Sequence, residues 1–152
     1  MKVNFALFIT ILSLLLAPSA AYGPFEVQKF EYYVSLSSRV SYSSFTFYDA
    51  KSGISTECKY KAARSNYDNP IPLPSNYTTC KNKDVKWKYD PEGQIISVEF
   101  GYWQATDYHT PNWVRILANG TMIPTACSAY GYSGYLCTPR ETRYLTDFVV
   151  VI

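Results

Sequence analysis

His109 is the single imidazole in a chain of 152 residues, and it sits in TDYHTPN, which reads as a loop. The chemistry it invites is RNA cleavage by a small secreted enzyme of the guanyl-specific type. That reaction needs a general base and a general acid flanking the phosphate, usually two His or a His with a Glu, plus an Arg clamp. Glu99 or Glu141 would have to join His109 in space. The inventory is thin, and a loop His without a catalytic role is the simpler reading. The chain has no G-x-S-x-G nucleophile elbow. It has no phosphate-cradling Gly-rich loop and no calcium loop. The expectation is a non-enzymatic protein with no catalytic residue, and a ribonuclease-like hydrolase is the alternative.

Four cysteines, Cys58, Cys80, Cys127 and Cys137, carry the other reactive groups. An even count in a secreted chain reads as two disulfides, so thiol nucleophiles are not expected. Three connectivities are possible. The sequential one, Cys58–Cys80 with Cys127–Cys137, is favoured because each pair brackets a turn-rich loop: NYDNPIPLPSNYTT in the first, SAYGYSGYL in the second. Zinc fits poorly, since there is no C-x2-C pair and only one His. No metal and no cofactor are expected.

Three further groups could bind. Lys81, Lys83, Lys86 and Lys88 surround Trp87. They form either a patch for a polyanion, glycan or membrane surface, or the exposed side of a strand whose lysines oppose edge-to-edge aggregation. The alternation of Val85, Trp87 and Tyr89 with Lys86 and Lys88 favours the second reading. Tyr130, Tyr132 and Tyr135 cluster with glycines in the second cysteine loop, a possible surface for a carbohydrate or a small aromatic ligand such as a flavonoid, or else a cover for the end of the fold. Asn76 (NYT) and Asn119 (NGT) are glycosylation sequons.

The elements that must hold these residues are strands. Phe25–Val34 and Val40–Tyr48 alternate, the latter with a phase slip at Ser43–Ser44 that suggests a bulge. Asp49–Gly53 is a turn and Ile54–Tyr60 a strand. Asp90-Pro91-Glu92-Gly93 fits a type I turn, and Ile96, Val98, Phe100 and Tyr102 alternate with Ser97, Glu99 and Gly101. Asn112–Ala118 is a strand, Asn119-Gly120 the strongest hairpin signal, and Thr121–Ala126 its return. Tyr144–Ile152 is apolar on both faces and reads as a central strand. No window of helical length holds a 3.6-residue period. Several short strands in sequence imply an antiparallel sandwich or barrel.

The N-terminus reads as an address. Lys2, an apolar run over Phe5–Leu16, Pro18 and small residues have the layout of a secretory signal peptide, with cleavage expected after Ala21. The apolar run is short for a bilayer span. The expected organisation is residues 1–21 as signal peptide and 22–152 as one β domain, with no membrane span. Net charge is +2 for the whole chain, which demands no nucleic acid or other strongly charged partner.

An opening strand FEVQKF, an F-x-F strand SFTFYD, a turn, T-x-C at Thr56–Cys58, the long apolar strand IISVEFGYW after the second Cys, two Cys flanking a Gly-rich loop and an apolar closing strand follow one another. This layout resembles the Alternaria major-allergen family of small secreted fungal proteins, which includes elicitors and effectors. The resemblance implies a compact all-β antiparallel barrel or sandwich with the same sequential disulfides. It also implies a role at the plant surface, in the host apoplast: binding defence proteins of the thaumatin-like type, provoking cell death or immunity, or acting as an allergen. Some members dimerise through a further Cys near the mature N-terminus. None lies between Tyr22 and Glu57, so no disulfide-linked dimer is expected. A cell-wall-associated protein similar to the cerato-platanins is a weaker alternative, because Gly is scarce and the Cys spacing differs.

Overall fold

The computed structural model describes residues 22–35, 40–63, 73–90, 92–104, 111–122, 126–131, 134–139 and 141–151. Residues 1–21, where a signal peptide is expected, and His109, Tyr132 and Pro91 lie outside the described residues. Among the described residues there is no helix long and apolar enough to cross a membrane.

Among the described residues eleven strands form two antiparallel sheets: β1 Phe25–Ser35, β2 Val40–Asp49, β3 Ile54–Ala63, β4 Thr78–Thr79, β5 Val85–Asp90, β6 Ile95–Gln104, β7 Asn112–Thr121, β8 Ala126–Ala129, β9 Gly134–Thr138, β10 Arg143–Leu145 and β11 Asp147–Val151. The first sheet runs β3-β2-β1-β9-β8, and β10 also pairs with β1; the second runs β11-β7-β6-β5-β4. Aromatic and β-branched residues at every second position give each central strand one face that must be buried, and packing the two faces together satisfies both sheets. Phe25, Phe45 and Phe47 of the first sheet meet Trp87 and Phe100 of the second. Ring centroids lie 4.9 Å apart for Phe45–Trp87, 4.8 Å for Phe47–Phe100 and 5.1 Å for Phe25–Phe100. The buried Asp49 is held by its turn, its carboxylate accepting from the Lys51 and Ser52 N–H groups at 3.1 and 3.2 Å and from the Ser52 hydroxyl at 2.5 Å.

Both disulfides follow the sequential pairing, Cys58–Cys80 and Cys127–Cys137, and no cysteine is free. They do different work. Cys58 lies on β3 of the first sheet and Cys80 just after β4 of the second, so that bond ties sheet to sheet. Cys127 and Cys137 are directly opposed across β8 and β9, inside one sheet.

Three sequence expectations are corrected. Asn119-Gly120 is not a hairpin turn: β7 runs through it, with Asn119 between Ser97 and Asp147 and Gly120 opposite Ile96. The next described strand, β8, belongs to the other sheet. The C-terminal run is not one central strand. It divides into β10, paired with β1, and β11 at the edge of the second sheet, where Val149 and Val151 are exposed. The bulge is not at Ser43–Ser44. β2 keeps its phase, burying Ser41, Ser43, Phe45 and Phe47, and the register shifts in β1 between Gln28 and Glu31, around Lys29 at φ 52°. There β1 changes neighbour, from β10 at Phe25–Val27 to β9 at Tyr32–Ser35. The extra residue re-aims the strand between two partners.

Candidate functional site

The outward face of the first sheet gathers one set of the polar and aromatic groups that the core does not use. Successive residues of a strand point to opposite faces, so burying Phe30, Phe45 and Cys58 turns Glu31, Tyr33, Tyr42, Ser44, Lys59 and Lys61 outward. The ladder then sets them in two rows: Glu31, Ser44 and Lys59 in one, Tyr33, Tyr42 and Lys61 in the other. The Ser44 hydroxyl donates to Glu31 Oε1 at 3.1 Å. Lys59 Nζ pairs with Glu57 Oε1 at 2.7 Å, an exposed pair contributing under about 1 kcal/mol. Between them lies a shallow groove of about 290 Å³.

The second cysteine loop completes this face. Tyr33 and Tyr42 rings lie 5.4 Å apart, and Tyr130 meets Tyr33 edge to face at 5.8 Å. Gly134 makes room for the cluster, since a Cβ there would stand 2.4 Å from Tyr33 Cε2. The hairpin is fixed by Cys127–Cys137 and by the Tyr130 N–H donating to the Gly134 carbonyl at 2.9 Å. Burial is the main cause that raises the Tyr42 pKa, followed by Glu31, Tyr130 and Tyr33. Its phenol therefore stays a neutral hydrogen-bond donor in any physiological medium. The groove offers stacking faces, donors and charges of both signs.

The sequence candidates separate in space. Tyr130 joins the cluster and is 56% exposed. Tyr135 is also exposed, but it sits opposite Val34 in the ladder, on the other face of the sheet from Tyr33. Lys86 and Lys88 lie on the outward face of the second sheet, while Lys81 and Lys83 lie in the turn before β5. Trp87 is fully buried and cannot serve as a platform among them. Asn76 is exposed ahead of β4, whereas Asn119 is half-buried within the second sheet. Glu99 is engaged with Arg115 at 2.8 Å, and Glu141 is exposed beyond β9. Among the described residues no cluster of His, Cys, Asp and Glu could hold a metal. Tyr33, Tyr42 and Glu31 were not singled out by the sequence, because on their strands they look like ordinary alternating residues.

Burial also raises the pKa of Tyr32, Tyr77 and Tyr89, and it pushes Tyr102 up to about 12, with Tyr22 and Asp49 adding to the shift. An ordinary tyrosine ionises near pH 10. Ionisation is then easier in the unfolded chain, so the stabilisation is complete below about pH 10 and is lost as pH rises toward the folded-state values. Thermal melts are expected to hold steady up to about pH 10 and fall steeply between there and pH 12, in step with tyrosinate absorbance. A flat melting temperature across that interval would show that these phenols titrate freely.

Two antiparallel sheets closed over one aromatic core and pinned by two disulfides define a small disulfide-bonded all-β protein. No protein-family model matches the chain, and no curated protein matches it. Among solved structures its fold is similar to that of the Alternaria alternata major allergen Alt a 1, with a TM-score of 0.51 over 84% of this chain and 91% of that chain. Identity is 12%, so the likeness is one of fold.

Proposed function

We propose that the protein is a secreted effector or elicitor-like protein that acts without catalysis, by binding a plant defence protein in the host apoplast. The observation that carries this reading is the Tyr33–Tyr42–Tyr130 cluster. Tyrosines held rigidly on a disulfide-pinned scaffold supply large contact area at low entropic cost, which suits protein recognition. Two disulfides and the distant fold likeness to an allergen agree with an extracellular setting. By the sequence resemblance, a thaumatin-like protein is the partner to try first; a small aromatic ligand in the groove beside Tyr42 is the second.

The test is a titration of a purified thaumatin-like protein against the intact mature chain. Micromolar or tighter binding is expected, weakened about tenfold or more in Tyr130→Ala, the size of a moderate interface anchor. Absence of binding, or equal binding by the variant, would sink the reading. So would release of nucleotides from RNA that disappears in His109→Ala.

A further inference from the structure

The outward face of the second sheet, on the far side of the molecule from the tyrosine cluster, carries a different aromatic feature. Trp103 and Trp113 stand opposite each other across β6 and β7. They are 66% and 40% exposed, and their rings meet edge to face at 5.2 Å with 67° between planes. Trp113 lies down on Gly101, where an added Cβ would fall 2.3 Å from ring atom Cζ2. One indole is thus a floor on the sheet and the other a wall, and the corner between them opens to solvent. Two large indoles exposed side by side make a contiguous apolar patch, the kind of feature that marks docking surfaces.

Arg115, opposite Gly101 in the ladder, borders this corner, and it is paired with Glu99 at 2.8 Å. The two charges cancel and leave a planar donor fork and a carboxylate acceptor side by side. Farther along the same face Tyr77 is exposed, with Lys88 Nζ 5.1 Å from its ring centre and its phenol within reach of the charges on Glu99 and Arg115. From the strand rise and spacing, the Cα atoms of Trp103 and Tyr77 are on the order of 20 Å apart, which is longer than one sugar ring.

We propose that this face binds a neutral β-linked polysaccharide of gluco configuration, with pyranose rings stacked in the Trp103–Trp113 corner and their hydroxyls held by Arg115 and Glu99. The match is chemical. A pyranose with all its substituents equatorial has two faces made only of C–H groups and a rim of hydroxyls. The faces suit an indole, and the rim suits a paired guanidinium and carboxylate. A sugar with an axial hydroxyl puts that group into the ring face, and the Arg115–Glu99 pair beside the indoles is neutral; a polyuronate would be drawn instead to Lys86 and Lys88, which lie farther along the same face, Lys86 opposite Glu99. Glucan and chitin, from the plant or the fungal wall, share the required chemistry. The inference takes from the proposed function only the extracellular setting, not the protein partner.

The chain carries its own reporter. Of its three tryptophans, Trp87 is fully buried, so a quencher in solution reads Trp103 and Trp113. Intact mature protein is titrated with cellohexaose, laminarihexaose, chitohexaose and polygalacturonate, following acrylamide quenching. At least one of the three neutral oligosaccharides is expected to shield the fluorescence, and the one that does identifies the wall. Trp103→Ala, at an exposed site that leaves the core intact, is expected to weaken binding about tenfold or more, as loss of one stacking anchor does. Trp113→Leu is expected to do the same. Tyr130→Ala should bind sugar normally, and Trp103→Ala should still bind the protein partner, so the two readings fail separately. The proposal is overturned if no neutral oligosaccharide binds at millimolar concentration or if Trp103→Ala binds undiminished. It is equally overturned if polygalacturonate binds more tightly and is released by salt, or if the shielding proves to be self-association abolished by Trp103→Ala.

Discussion

Phe100→Ala is expected to lower stability by about 3–5 kcal/mol, the range for truncating a buried aromatic. Phe100 is fully buried on β6, which is paired along its length with β7 and also with β5. Its ring touches Phe25 and Phe47 of the opposite sheet at centroid distances of 5.1 and 4.8 Å. Truncation therefore opens a cavity in the middle of the interface between the sheets. The ladders on either side prevent β6 from moving in to fill it. Domains hold together by only about 5–15 kcal/mol, so this one change removes a large share of the total. Denaturant unfolding with both disulfides intact measures it. Phe148→Ala is the comparison: Phe148 also meets Phe25, at 5.2 Å, but it is half-buried on the edge strand β11, where collapse is easier. Its cost should be less than half that of Phe100→Ala, and equal costs would show that the core is not centred on β6.

The strands that carry this core were legible because their alternation is strict. In IISVEFGYW the apolar phase places Ile96, Val98 and Phe100 inward without reference to any neighbour. The same string carries a second signal. Its polar phase runs Ser97, Glu99, Gly101 and then Trp103, and on β7 Trp113 shares the phase of Arg115. A tryptophan in the solvent phase is a residue kept exposed, and two of them facing each other needed only the register to be recognised. The misreadings have physical causes. Gly120 reads as a turn because glycine tolerates φ above zero, but it is used for a close approach: a Cβ there would stand 2.8 Å from Leu145 Cδ2 and 3.0 Å from the Tyr144 carbonyl oxygen. The glycine lets β10 cross close to β7. The C-terminal valines are apolar on both faces, yet Phe148 and Val150 pack on the core while Val149 and Val151 are exposed. Periodicity alone does not distinguish an edge strand from a central one. In β2, Ser41 occupies a buried position that a pattern search assigns to a larger residue, and its hydroxyl there accepts the Ser35 N–H at 3.2 Å. The tyrosine site was half legible: Tyr130 was marked by its loop, whereas Tyr33 and Tyr42 become neighbours only through a register that no local pattern specifies.

The two disulfides are expected to differ in what their loss does, although chain entropy rates them alike. Closing loops with separations of 22 and 10 residues gives about 3 kcal/mol each on that model. Cys58 and Cys80 are both buried, and their bond joins β3 of one sheet to the segment after β4 of the other. Two hydrogen bonds accompany it across the seam, from the Lys81 N–H to the Glu57 carbonyl and from the Asn82 N–H to Thr56 Oγ1, both 2.8 Å. Replacing Cys58 and Cys80 together by Ala removes the chain constraint and also leaves a gap in the core, so a loss of about 4–5 kcal/mol is expected, the upper end for a native disulfide. The Cys127–Cys137 bond joins β8 to β9 within one ladder; Cys137 is buried, but Cys127 lies on β8, whose four residues are all exposed. Its replacement should cost about 2–3 kcal/mol, lowering the unfolding midpoint by less than the Cys58 and Cys80 replacement does, and should loosen Tyr130 rather than open the core, weakening the proposed partner binding. Access decides the order of reduction, because a thiolate must reach a sulfur in order to attack it. Graded reduction followed by alkylation and mass mapping should label Cys127 and Cys137 first, with Cys58 and Cys80 appearing only as the protein unfolds. Simultaneous labelling of all four would mean that the seam between the sheets opens as readily as the surface hairpin, and that Cys58–Cys80 is not what holds it.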